Sequence, residues 1–170
     1  LGGNLVRIDV ENARGENLTN GDLVGTKDGS AYGLVFDPQD ENVFYFSNND
    51  KHCIYKYDLR TKECACWAGQ EGKSGYLDGP IGQAMFNKPG QMCVDSEGNI
   101  ILTDTENHCI RKITMSTGYV STLAGKPQNS GYVNGSAEDA QFKKPLGICI
   151  DNDDVMYIGD SENRAIRRLA

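Results

Sequence analysis

The chain has 170 residues, enough for one domain with a sizeable core, and carries a formal net charge of -7. That acidity argues against a phosphate-binding surface, which needs a basic footprint, so no nucleic-acid partner is expected. Hydrophobic residues make up 38% in strand-sized runs, none near the roughly 20 residues of a membrane-spanning helix, so no membrane insertion is expected.

In chain order, Leu5 to Val10 reads as a short strand, followed by a connecting stretch to residue 31. Gly33 to Asp37, Val43 to Ser47 and Ile54 to Leu59 are apolar or alternating runs bounded by turn residues, as strands are. Cys64 and Cys66 lie two apart on an outer strand, so they share a face. A long Gly-rich loop spans 68 to 88, and a second spans 124 to 144. After the first loop come the apolar run Asn99 to Thr103 and the alternating run Arg111 to Thr114; after the second come Val155 to Gly159 and Ile166 to Leu169. Ser96-Glu97-Gly98-Asn99 and Asn152-Asp153-Asp154 suit tight hairpin turns.

A step of 56 residues repeats without a gap over the second half of the chain. It carries Ala68-Gly69 onto Ala124-Gly125, Phe86 onto Phe142, Pro89 onto Pro145, Asp104 onto Asp160 and Ile110-Arg111 onto Ile166-Arg167. An upstream copy runs from Gly33 to Asp58 with a longer first hairpin, and Leu5 to Val10 matches its third strand. Each copy is an antiparallel sheet of about four strands with two faces to bury, so copies must stack; radial stacking gives a propeller. The chain therefore reads as all-β and as one domain over 1–170. The end of a blade and a connecting loop occupy 1–31, and a blade occupies 32–67. A long loop plus blade follows at 68–123, then a long loop plus partial blade at 124–170.

Pro89-Gly90, Asp95, Gly98-Asn99-Ile100, Asp104 and Asn107-His108-Cys109-Ile110-Arg111 resemble the NHL repeat. The resemblance implies four-stranded antiparallel blades of a six-bladed β-propeller, of which this chain reads as an incomplete portion, with the remaining blades coming from a longer chain. The long loop with Gly-Tyr-x-x-Gly and then Ala-x-Phe-x-x-Pro is most similar to bacterial surface proteins that pair NHL repeats with an IPT/TIG domain. That likeness implies an extracellular, periplasmic or cell-surface setting, with a cytoplasmic one as the alternative.

Asp95, Asp104, Asp151 and Asp160 recur in every blade, which suits turn capping better than a catalytic group needed once. Asp151 to Asp154 opens like a calcium loop but lacks the Gly and distal Glu. His52 and His108 hold equivalent positions and are read as motif residues bonding loop backbone rather than as zinc ligands. The basic clusters Arg111-Lys112, Lys143-Lys144 and Arg164 to Arg168 are read as solvated faces. The six cysteines are expected to be free, with Cys93 and Cys149 buried at matched strand positions. Phe86 and Phe142 should be buried beside the first strand of their own blades. Asn17-Leu18-Thr19 and Asn134-Gly135-Ser136 fit the glycosylation pattern.

Two functions follow. The first is a non-catalytic module holding a protein, peptide or glycan ligand on the loop-rich face, with Tyr76, Glu106, His108, Tyr132, Glu162 and Arg164 as contacts. It needs no catalytic residue, metal or cofactor. The alternative is a hydrolase or lyase with a metal-dependent site, for which His52, His108 and Asp104 would have to converge.

Overall fold

The computed structural model describes the backbone of residues 6–9 and 14–17 and all of residues 31–170. Leu5, Val10, the connecting stretch 18–30 and most of the first glycosylation pattern lie outside the described residues. Strands β1 (Val6–Asp9) and β2 (Arg14–Asn17) pair antiparallel. The first full blade is β3 (Ala31–Phe36), β4 (Val43–Asn48), β5 (Cys53–Asp58) and β6 (Cys64–Ala68), hydrogen-bonded in that order. The second adds a short outer strand β7 (Gly79–Pro80), given up by the long loop, to β8 (Pro89–Val94), β9 (Ile100–Asp104), β10 (Cys109–Thr114) and β11 (Tyr119–Ala124). A third sheet holds β12 (Pro145–Ile150), β13 (Met156–Asp160) and β14 (Ala165–Leu169). The sheets are antiparallel and, among the described residues, the only helical pieces are single 3-10 turns at Thr105–Asn107 and Ser161–Asn163.

Why the second strands carry unbroken apolar runs is now plain. Every residue of β4 and of β9 is buried, and β9 has the core shared with the first blade on one face and that shared with the third sheet on the other. One core joins the first and second blades through Val35, Tyr45, Ile54, Phe86, Met92 and Leu102. Another joins the second and third through Ile101, Ile110, Phe142, Ile148 and Ile158. β8 lies between β3 and β12, so the innermost strands converge as in a propeller. They come so close that a Cβ on Gly33 would sit 2.8 Å from the Gly90 carbonyl oxygen, and only glycine fits.

Repeated hydroxyls stitch successive blades. Ser47 Oγ donates to the Gly90 carbonyl at 2.6 Å, and Thr103 Oγ1 donates to the Leu146 carbonyl at 2.9 Å. Both bonds run from the second strand of one blade to the first strand of the next.

Three expectations need correction. Arg111 is not on a solvated face: it is wholly buried, and Arg167 nearly so. Each guanidinium is drawn inward by a buried carboxylate, as described below. Cys93 is half-buried, packed at the edge of the core between the second and third sheets, and Cys149 is exposed on the third sheet; all six cysteines are free. Asp104 and Asp160 do more than cap turns, whereas Asp95 and Asp151 do cap them, accepting backbone N–H bonds from Asn99 and Val155.

Candidate functional site

The turns between second and third strands and the two long loops meet at one end of the blades. Glu106 N–H donates to the Asn87 carbonyl, Gln128 N–H to Asn107, and Glu162 N–H to Lys143. Asn107 Nδ2 reaches the Gly75 carbonyl at 2.8 Å, and Asn163 Nδ2 the Gly131 carbonyl at 2.7 Å. The two 3-10 turns close on His108 and Arg164 in the left-handed region, with φ of 59° and 54°. His52 adopts the same backbone, with φ of 56°.

Both histidines are junction pieces. Lys88 N–H donates to His52 Nδ1 and Lys144 N–H to His108 Nδ1, each at 3.1 Å. Each ring therefore holds the residue just before the next blade's opening proline. In each ring Nδ1 is the acceptor of this bond. Among the described residues, no group of three or more His, Cys, Asp or Glu is placed to hold a metal.

Beneath the face lies a buried ionic network in each of the two later blades. Asp104 Oδ2 meets Arg111 Nη1 at 2.7 Å and Asn107 Nδ2 at 2.8 Å, while its Oδ1 accepts the Asn87 N–H at 2.8 Å. Arg111 also donates to the Met85 and Leu77 carbonyls and to Asp78, so one guanidinium pins the long loop at three places. Phe86 and Tyr76 flank it, with ring centroids 5.1 and 4.8 Å from its central carbon. Burial pushes the Asp104 carboxyl up to about 6, against the pull of Arg111, so it is ionised at neutral pH. Asp160, Asn163, Arg167, Phe142 and Tyr132 repeat the arrangement. Phe86 and Phe142 are buried as expected, each wedged against the glycine that ends the blade before it, Gly69 and Gly125.

The six expected contact residues separate into two groups. Tyr76 is half-buried and committed to the blade, its hydroxyl bonded to Thr122 Oγ1 at 2.7 Å. The other five lie over the second and third blades. Tyr132 is 60% exposed, stacked on Arg167. Glu106, His108, Glu162 and Arg164 lie on the two adjoining turns. Sequence reasoning left out Lys143 and Lys144 here. Lys144 Nζ bridges Glu106 at 3.3 Å and Glu162 at 3.1 Å, and Lys143 Nζ lies 3.4 Å from Glu162. The Glu162 hydrogen bond first, then that of Glu106, raises the Lys144 ammonium above its ordinary value. Such exposed pairs contribute little stability and exchange readily for a ligand's charges. The signal for these lysines was their place at the end of the long loop, directly before Pro145. At the opposite end, a cleft of about 400 Å³ opens between the first and second blades, lined by Asp37, Gln39, Glu97 and Met115 among others.

Residues 86–113 match the family model of the NHL repeat. The chain is 30% identical over 149 residues to NHL repeat-containing protein 2 of Gallus gallus, covering 86% of this chain and 19% of that protein. A structural genomics protein of unknown function from Bacteroides thetaiotaomicron superimposes with a TM-score of 0.86 at 30% identity, over 97% of this chain and 41% of that one. An auxiliary nutrient binding protein of the same organism does so with a TM-score of 0.77 at 28% identity, over 99% of this chain and 43% of that one. The chain thus spans less than half the length of these structures and under a fifth of the curated relative. Repeat match, relative and solved folds agree: residues 86–113 carry an NHL repeat, and the sheets are successive blades of a β-propeller fold of that type.

Proposed function

We propose that this chain is part of a non-catalytic binding propeller, and that it holds a polar ligand, a peptide or a glycan, at the junction of its second and third blades. One observation carries the reading. Glu106, Lys143, Lys144, Glu162 and Arg164 form a set of both charges on two adjoining turns, with ion pairs running across the junction and buried ion pairs anchoring the turns from below. Partly exposed charges of both signs, paired only with one another, suit a ligand with several polar groups. The likeness to a nutrient binding protein at 28% identity supports the same reading. Supply of such ligands from outside the cell fits a surface or extracellular setting, and the bacterial proteins with an IPT/TIG domain are consistent with it. The working unit is a closed propeller in which further blades complete the circle.

The test is a panel of oligosaccharides and short peptides screened by calorimetry against the purified protein. Binding of one class is expected, with Tyr132→Ala and Glu162→Gln each weakening it about tenfold, in the range of a lost contact residue. Unchanged affinity in both variants, or turnover of the bound compound, would sink the proposal.

A further inference from the structure

The hairpin between first and second strands lies at the end of each blade opposite the loop-rich face. Between the second and third blades these turns are clasped. Ser96 donates its N–H to Asp154 Oδ1 at 2.9 Å and its hydroxyl to Asp154 Oδ2. Between the first and second blades the repeat puts Pro38 in the place of Ser96 and Gly98 in the place of Asp154. Proline has neither an N–H nor a hydroxyl, and glycine has no carboxylate, so donor and acceptor are lost together. The turns still meet, since a Cβ on Gly98 would lie 3.2 Å from Pro38 Cγ. Here the cleft of about 400 Å³ opens, a volume within the range of small-molecule sites. A clasp kept at one junction and dismantled on both sides at the other marks the cleft as more than a packing leftover.

Pro38, Gly98 and Met115 give the cleft apolar surface, and Met115 packs on the core below. Gln39, Thr114 and Ser116 add an amide and two hydroxyls. Asp37 comes from the first blade and Glu97 from the second, and none of the described residues lining the cleft is basic. Glu97 shares the Lys112 ammonium with Asp95, at 3.5 and 2.9 Å. Asp37 forms no ion pair among the described residues. Its Oδ1 accepts the Gln39 N–H at 2.9 Å and its Oδ2 the Tyr45 hydroxyl at 2.8 Å, two neutral donors that fix the carboxylate without cancelling its charge. Buried Asn99 stiffens the second wall, accepting the Met115 N–H and donating to Asp95.

We propose that this cleft binds an ammonium group, that of a small free amine or of a lysine side chain, with Asp37 as the main counter-charge and Glu97, Gln39 and Ser116 as further acceptors. This goes beyond the binding reading, concerns the other end of the blades, and does not depend on it. An ammonium suits the cleft better than a guanidinium. Both Asp37 oxygens already accept a bond, so a planar fork finds no free carboxylate edge, whereas a compact ammonium with three donors takes single acceptors from separate walls.

The test is NMR of the purified protein with isotope-labelled methionine methyl groups, the Met115 signal being assigned with Met115→Leu. The protein is titrated at millimolar concentration with putrescine, with N-acetyl-lysine amide, and with butanediol as the uncharged match of putrescine. Putrescine should move the Met115 signal saturably, and butanediol should leave it in place. If N-acetyl-lysine amide moves it equally, a protein's lysine can fill the cleft; if putrescine alone does so, the ligand is a free amine. Asp37→Asn should weaken putrescine about tenfold or more. Pro38→Ser combined with Gly98→Asp rebuilds the clasp and should abolish the response; aspartate tolerates the left-handed backbone of Gly98, φ 81°, as Asp154 does at 59°. Glu162→Gln, on the other face, should leave putrescine affinity unchanged, which separates this site from the proposed one there. No movement of Met115 with either amine, an equal movement with butanediol, or full affinity in the reclasped variant would overturn the proposal. The reclasped variant decides the matter even if Asp37→Asn fails to fold.

Discussion

The first and second blades solve the same packing problem with opposite chemistry. In the second, the slot under the turn between second and third strands holds Asp104, Asn107 and Arg111, a wholly buried ion pair tied to the long loop, with Arg111 Nε and Asn107 Oδ1 left without a partner. In the first, Asn48, Lys51 and Tyr55 occupy those positions. The same face there is aromatic: Phe46 stacks on Tyr55 at 5.3 Å and Phe44 on Tyr57 at 5.0 Å. The blade therefore demands a filled slot, not a particular set of charges. What the ionic version adds is directional: a guanidinium offers five donors in a fixed fork, where a phenol offers one. Arg111 uses that fork to fix the loop that carries Tyr76 and Phe86. The proposed binding face lies above the two ionic blades, so rigidity at the loop root goes with the proposed site.

Removing the fork should therefore cost most. Arg111→Met leaves Asp104 buried without its partner, and a loss of about 3–5 kcal/mol is expected in denaturant unfolding. Tyr55→Phe in the first blade should cost under about 1 kcal/mol, because no fixed network is broken. Similar losses for the two would refute the contrast. Phe86→Ala should follow at about 3 kcal/mol or more, since it opens a cavity and strips one face of Arg111. A loss well below 1 kcal/mol would mean that the wedge against Gly69 carries no weight.

The repeat explains what the sequence made legible. A gapless step of 56 residues fixed the strands, the loops and their shared face. The histidines were read as backbone partners, which their Nδ1 bonds to Lys88 and Lys144 match. Arg111 and Arg167 were misread because a charged residue in an alternating strand looks solvent-facing. The signal that could have corrected this was internal: Asp and Arg occur together in two copies, and both are gone from the first, where Asn48 and Tyr55 stand. β7 escaped notice because a two-residue strand has no periodicity.

The two blade junctions offer a finer comparison. Ser47 Oγ donates to Gly90 and also accepts the Gly33 N–H at 2.8 Å, so Ser47→Ala strands two buried backbone groups. About 2 kcal/mol should be lost. Thr103→Val removes the bond to Leu146 and a longer one to Gln91, keeps the volume, and should cost about 1 kcal/mol. Unfolding midpoints of the two variants order the junctions; the reverse order would mean that side-chain volume, not the shared hydroxyl, holds the first junction.

The smallest effect should come from the histidine at the first junction, and pH reveals it. His52 Nδ1 must stay unprotonated to accept the Lys88 N–H, and burial, then the Lys88 charge, holds its imidazole below the ordinary value near 6.5. Above that pH both folded and unfolded chains carry the neutral ring, and its contribution is fully present. As pH falls below about 6.5 the unfolded chain takes the proton first, so stability is lost until the folded pKa is passed. The ring is partly solvated, which limits the loss to under about 1 kcal/mol. His52→Asn keeps an acceptor, tolerates the left-handed backbone and cannot titrate. Unfolding midpoints measured at about pH 7.5 and about pH 5.5 should therefore fall less in His52→Asn than in the parent, the window being set by the His reference value. Equal falls would show that the acid sensitivity lies elsewhere, with the buried Asp104 carboxylate the next group to examine.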